Sequence, residues 1–257
     1  MTLIKCTTIN RIAHIILNRP EKRNALNPEL VESLKTAFKN ANADAQVKVI
    51  ILKATGDVFS AGADLAYLQQ LQTSSYEENL ADSNSLKALF YMIYTSPKVV
   101  IAQVEGHAIA GGCGLASICD IIFSVPEAQF GYTEVKIGFI PALVACFLVR
   151  KLGEGRVKEL LLTGELINAQ TALAYGLINF IVDKKNIDME VQCYAEKITQ
   201  STSLQSILLT KELLRKAYDT NLEESLEEAV LYNTNARSSD DCKLGIQDFI
   251  NKKKTNW

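Results

Sequence analysis

The chain has 257 residues, 48% of them apolar, and a formal net charge of −2. That length and apolar share suffice for one large domain with a full core. The mixed, nearly balanced charge excludes the electrostatic footprint of a nucleic-acid binder or of a protein drawn to an anionic membrane.

Residues 1–17 contain no continuous apolar run ending in a small-residue cleavage site, so no signal peptide is expected. Two β-type runs, 2–9 and 11–17, flank Asn10-Arg11 and predict a hairpin. A basic, turn-rich loop, 18–24, leads to Asn27-Pro28-Glu29, which has the cap, first-turn proline and acid of a helix start. Leu30, Leu34, Ala37, Phe38 and Ala41 then recur at helical spacing. Residues 48–53 (KVIILK) predict a strand covered on both faces. Residues 59–65 (FSAGADL) form a small-residue turn into a helix, 73–78 a polar mobile loop, and 84–94 an amphipathic helix stopped before Ser96-Pro97.

The stretch Ala102–Asp120 (AQVEGHAIAGGCGLASICD) begins inside an apolar strand, breaks into the glycine cluster Gly111, Gly112 and Gly114, and resumes as a small-residue helix. A strand feeding such a turn leaves backbone N–H groups unpaired at a helix start, where they bind anions or an oxyanion. Glu105, His107 and Asp120 interrupt the surrounding apolar run 99–125, which argues against a membrane span.

Further strands are predicted at 120–124 and 177–182, on either side of a turn-bearing region at 128–141. Helices are predicted from there to Leu152 and at 154–163, 168–175, 190–200, 206–218, 222–238 and 243–253. The closing Lys252–Lys254 cluster reads as a solvated tail. Strands alternating with helices, then a run of helices, argue for an α/β fold with a helical C-terminal subdomain. The expected division is a core over 1–190 and a helical subdomain over 191–257, without a flexible linker.

Six scattered cysteines, with no C-x-x-C pair and no histidine at ligand spacing, argue for buried thiols in a reducing compartment and against a metal site. A soluble, cytoplasmic protein is the expectation. There is no G-x-S-x-G elbow and no Walker loop. Gly112-x-Gly114 is followed by Ser117, not by the third glycine of a dinucleotide fingerprint. His14 lies within an apolar strand and reads as structural, and His107 has no serine or cysteine at a pairing distance, so triad chemistry is excluded.

Two small-residue strand-to-helix turns remain, 60–65 and 110–114. Brought to one sheet edge, their N–H groups converge on a single oxygen; removing one such donor costs about 2.7–4 kcal/mol of barrier. The enolate oxygen of a thioester is the natural client.

Several motifs follow one another along the chain: Leu17-Asn18-Arg19-Pro20 with Arg23-Asn24-Ala25-Leu26-Asn27; Phe59-Ser60-Ala61-Gly62-Ala63-Asp64-Leu65; Val104-Glu105-Gly106 through Gly111-Gly112-Cys113 and Cys119-Asp120; Phe130-Gly131 with Glu134 and Gly138-Phe139-Ile140-Pro141; and Leu161-Leu162-Thr163-Gly164 with Ala169, Ala172 and Gly176-Leu177-Ile178-Asn179. In this order they resemble the enoyl-CoA hydratase/isomerase (crotonase) family over essentially the whole chain. The resemblance implies a crotonase-like spiral of β-β-α turns in place of a doubly wound sheet. It also implies trimers built partly by the C-terminal helices, often paired into hexamers.

The implied substrate is an acyl-CoA thioester, with no cofactor beyond the coenzyme A it carries. Carried over by position, the oxyanion donors are the N–H groups of Ala63 and Gly111. Arg23, Ala25 and Leu26 line the adenosine and pantetheine side, and Ala61, Asp64 and Leu65 form the facing turn. Phe249 and Lys252 approach the adenine and a phosphate from a neighbouring subunit.

Glu134 is the implied catalytic carboxylate. Hydratases of the family usually carry two glutamates, one to activate water and one to handle the proton at C2. The earlier of the two falls here at Gly114, which has no side chain. A single carboxylate is the pattern of members that only move a proton, such as 3,2-enoyl-CoA isomerases. Glu105 and Tyr132 are the candidate substitutes for the missing acid. Ala142 stands where dienoyl-CoA isomerases and dehalogenases place an aspartate, and a Clp-type peptidase would need a histidine that neither His14 nor His107 supplies. The first reading is therefore a 2-enoyl-CoA hydratase, the second a 3,2-enoyl-CoA isomerase, and the third a catalytically silent acyl-CoA-binding homologue.

Overall fold

The computed structural model describes residues 2–257. The chain opens with β1 (Ile4–Ile9) and β2 (Ile12–Leu17), an antiparallel hairpin. Its turn residues Asn10 and Arg11 sit at φ +51° and +67°, the left-handed geometry that matches strand twist in a two-residue connection. Helix α1 (Pro28–Ala43) starts as its sequence dictates, with the Asn27 side chain accepting the Leu30 N–H at 2.9 Å. Its predicted stripe, from Leu30 to Ala41, is the face that is buried.

The middle of the chain then repeats one pattern. β3 (Val49–Ala54) and β4 (Val58–Ser60) lead into α2 (Leu65–Leu71) and α3 (Tyr76–Tyr94). β5 (Val99–Val104) and β6 (His107–Ile109) lead into α4 (Gly111–Ser117), and β7 (Ile121–Ser124) and β8 (Gln129–Gly131) into α5 (Ala142–Thr163). A shorter unit follows, made of β9 (Ile167–Asn168), α6 (Ala169–Tyr175) and β10 (Phe180–Ile181).

The first strand of each pair joins a six-stranded sheet ordered β1-β2-β3-β5-β7-β10, and the second joins a four-stranded sheet ordered β4-β6-β8-β9. From β2 to β10 the larger sheet is parallel. Each β-β-α turn thus advances both sheets by one strand, which is the spiral that the resemblance implied. Parallel neighbours end at the same edge, so the turn after β4 and the turn after β6 must lie side by side. Their meeting is a consequence of topology.

The boundaries depart from expectation in three places. Only 73–75 of the predicted loop 73–78 form a connection: Ser75 and Glu78 form a reciprocal capping box that starts α3 at Tyr76, eight residues before the predicted helix. Only Phe180 and Ile181 of the predicted strand 177–182 form a strand, and before them the Asn179 side chain, in place of a backbone carbonyl, accepts the Ile122 N–H at 2.8 Å. The predicted break after Leu152 is a kink inside α5, at Gly153 with φ +73°.

The chain ends with α7 (Ile187–Ser201), α8 (Leu204–Asp219), α9 (Leu222–Ser238) and α10 (Asp240–Ile250). Helix α7, which a boundary at 190 would divide, sends Ile187, Val191 and Ala195 into the main core. Helices α8 to α10 bury no residue fully and leave Leu222, Leu226, Val230 and Phe249 exposed. Among the described residues no helix is long and apolar enough to cross a membrane.

Candidate active site

The turn after β4 is held from both sides. Leu26 donates its N–H to the Gly62 carbonyl at 2.7 Å and accepts the Asp64 N–H at 2.8 Å. These bonds form a one-residue parallel bridge between Leu26 and Ala63, and in such a bridge the N–H of Ala63 points away from Leu26. Asp64 fixes the start of α2: its Oδ1 accepts the N–H groups of Ala66 and Tyr67, and its Oδ2 accepts Arg19 at 2.6 Å. Burial alone would raise the Asp64 pKa, but the Arg19 bond and the two N–H donors outweigh it and hold the carboxyl below its usual value. Asp64 therefore shapes the turn and lies outside the cavity wall.

The second turn is strained. Ala110, a non-glycine residue, sits at φ +51° and ψ −127°, a conformation that costs about 1–3 kcal/mol and persists where neighbours impose it. Its own N–H is pinned to the Gly131 carbonyl at 2.7 Å. The next residue, Gly111, opens α4, and its N–H has no acceptor among the described residues. The two turns touch: a Cβ on Gly62 would lie 2.8 Å from the Ala110 Cβ and 3.5 Å from the Gly111 nitrogen. Gly62, at φ +87°, is the residue that permits this approach.

Both turns line a cavity of about 310 Å³. Ala63 and Gly111 lie in its wall, and Glu134 faces them from the 3₁₀ turn that follows β8. The Glu134 Oε2 is buried and has no hydrogen-bond partner, and burial pushes the carboxyl pKa up. Two free N–H donors and one buried, unpartnered carboxyl around an apolar cavity can hold a developing oxyanion and exchange a proton beside it.

The family model described as enoyl-CoA hydratase/isomerase matches residues 7–257. The chain belongs to the enoyl-CoA hydratase/isomerase family. A Thermus thermophilus protein provisionally named an enoyl-CoA hydratase is 44% identical over 242 residues, 94% of this chain and 95% of its own. A crotonyl-CoA hydratase of Syntrophomonas wolfei is 33% identical, covering 96% of this chain and 94% of its own. The crystal structure of an enoyl-CoA hydratase from Shewanella pealeana superposes with a TM-score of 0.95 at 30% identity, over all of this chain and 96% of that one.

Within this family frame the remaining expected positions fall as follows. Leu26, Ala61 and Leu65 line the cavity together with Ala63. Arg23 and Ala25 lie just outside it, where the Arg23 carbonyl accepts the Ala61 N–H at 3.0 Å. Phe249 and Lys252, in and just beyond α10, are exposed and do not reach this chain's own cavity.

Neither candidate substitute for the missing acid enters the cavity. Glu105 is held by the Gln103 side chain at 2.7 Å, and Tyr132 is fully buried with an unpartnered hydroxyl. The Gly114 position is itself closed, since a Cβ there would run into Val144 Cγ1 and lie 3.1 Å from the Phe90 ring. Sequence reasoning missed Tyr67, Asp82 and Thr133, which also line the cavity. A helical stripe of leucines around Tyr67 was the available signal for α2; nothing local marked Asp82.

Proposed function

We propose that the chain is a hydratase-type acyl-CoA enzyme that adds water across a 2-enoyl-CoA double bond. The observation that carries this reading is the unpartnered, buried Glu134 Oε2 in the wall shared with the free N–H groups of Ala63 and Gly111. The names of the relatives point the same way. In this reading the two N–H groups hold the thioester oxygen as it takes on charge. Glu134, whose pKa burial raises, takes a proton from the water that bonds to C3 and returns it to C2 of the enolate so formed. Net addition of one water leaves the carboxyl group as it began.

The same proposal places coenzyme A along Arg23, Ala25, Leu26, Ala61 and Leu65. Asp64 braces that turn, and Phe249 and Lys252 contribute from a neighbouring copy. The exposed apolar faces of α8 to α10 support assembly into a homotrimer or a dimer of trimers.

One observation favours a second reading. Val144 and Phe90 close the Gly114 position, and of the two carboxylates that line the cavity among the described residues, Asp82 is bonded to Tyr67 and only Glu134 is unpartnered. A lone base suits a 3,2-enoyl-CoA isomerase, which takes a proton from C2 and returns it at C4. The test is to give the protein crotonyl-CoA and, separately, 3-hexenoyl-CoA, following water addition and double-bond shift independently. The hydratase reading predicts that crotonyl-CoA is hydrated. A double-bond shift without hydration would replace it with the isomerase, and tight acyl-CoA binding without turnover would show a silent homologue.

A further inference from the structure

We propose that Tyr67 and Asp82, paired in the cavity wall, select an acyl chain that carries a hydrogen-bond donor, a hydroxyl or an ammonium, away from its thioester end. The inference rests on the acyl-CoA reading for the other end of the ligand.

Tyr67 stands on α2 four residues beyond Ala63, and Asp82 on α3; both line the cavity that Ala63, Gly111 and Glu134 share. The Tyr67 hydroxyl donates to Asp82 Oδ1 at 2.5 Å. Burial first, and this bond second, push the Tyr67 pKa up and keep the phenol neutral. A tyrosine whose proton is committed to a carboxylate offers a third group only its lone pairs, and an ionised carboxylate only accepts. The Tyr67 hydroxyl is the one side-chain donor that reaches Asp82 among the described residues. The pair therefore presents acceptors in a wall otherwise built from groups such as Leu68, Leu71 and Leu86. Both side chains are half-buried, so a ligand donor that reaches the pair from the apolar side replaces loosely held water with a charge-assisted bond. A chain ending in a carboxylate would meet like charge.

The position of the pair argues against a role as the absent second acid. Asp82, Leu86 and Phe90 recur at four-residue intervals and form one stripe of α3. Phe90 packs against Gly114, Leu86 lines the cavity, and Asp82 lies beyond. Eight residues of helix rise about 12 Å, so Asp82 stands at the far end of the stripe from the vacated acid position. There it meets the distal part of an acyl chain.

A bond that merely straps α2 to α3 would look the same, and binding separates the two roles. The full chain is titrated calorimetrically with saturated, unreactive hexanoyl-CoA and octanoyl-CoA and with their ω-hydroxy and ω-amino derivatives. None of these reacts, so the outcome does not depend on which reaction the enzyme catalyses. At one length or the other, an ω-donor ligand should bind about tenfold more tightly than its parent, as expected for a hydrogen bond to a charged group. Asp82→Ala should bring that ratio to about one, whereas Tyr67→Phe, which frees the carboxylate, should keep or widen it. Thermal melting identifies any variant that fails to fold, and either substitution alone still decides.

Parents binding as tightly as the ω-donor ligands at both lengths would overturn the proposal. So would an unchanged ratio in Asp82→Ala, or a collapse of the ratio in Tyr67→Phe. Failure of every acyl-CoA to bind would overturn the acyl-CoA reading itself, and this inference with it.

Discussion

Phe90 fills the space that a side chain at Gly114 would need: its ring stands 3.1 Å from the position of a Gly114 Cβ, with Val144 nearer still. Packing thus leaves no room for a side chain at this position. Gly114→Ala is expected to destabilise the fold by about 1–3 kcal/mol, the cost of overpacking a filled core. Because Val144 is the nearest obstacle, the penalty should shrink in a Val144→Ala background, a coupling that denaturant unfolding of the double-mutant cycle measures. Gly114→Glu should likewise lose stability without gaining hydration.

Gly62 is the contact between the two turns. Gly62→Ala places a methyl 2.8 Å from the Ala110 Cβ at a residue with φ +87°, and should drive Gly111 away from Ala63. If those N–H groups form the oxyanion hole, kcat should fall about 100- to 1000-fold, the cost of one lost donor. Steady-state kinetics on whichever acyl-CoA substrate turns over supplies the measurement.

Asp64 links the same turn to Arg19. Its pKa is held below the ordinary 3.8, so the stability it contributes is present above that value and is lost as pH falls through the lower, folded value. Asp64→Asn keeps a capping oxygen but removes the charge. It should cost about 1–3 kcal/mol near neutrality, as a charge-assisted bond does, and should flatten the acid limb of the stability profile. Melting curves taken from acid to neutral pH read both effects.

Glu134 has the opposite sign. Its pKa is raised above the ordinary 4.5 by burial, so the protonated form favours folding in acid and ionisation costs stability as pH rises through the folded value. Glu134→Gln should therefore be more stable than the parent chain by about 0.5–2 kcal/mol in mildly alkaline buffer. The gain should vanish in acid, where both side chains are neutral.

What could be read from the sequence was what is local or repeated in order. The helix from Pro28 declares itself by its cap and by Leu30, Leu34, Ala37, Phe38 and Ala41; the two turns declare themselves by small residues between a strand and a helix. The first half of α3 was missed because Glu77, Glu78 and Asn84 are exposed and Asp82 puts a charge on the inward stripe of Leu86 and Phe90, which hides the periodicity, although Ser75 and Glu78 already carried the capping-box spacing. The closing of the Gly114 position by Phe90 and Val144, and the meeting of Tyr67 with Asp82, join side chains from separate helices. No local pattern encodes such contacts. They exist only once the spiral has brought α2, α3, α4 and α5 together.

The most direct test of the account is the turnover of Glu134→Gln. Glutamine keeps the size and the acceptor oxygen but can neither give nor take the proton. The account predicts a loss of kcat of about 100- to 10,000-fold, the range for a positioned acid or base, with acyl-CoA affinity within a few-fold of the parent chain. Turnover within tenfold of the parent would contradict the assignment of Glu134 as the proton-handling group.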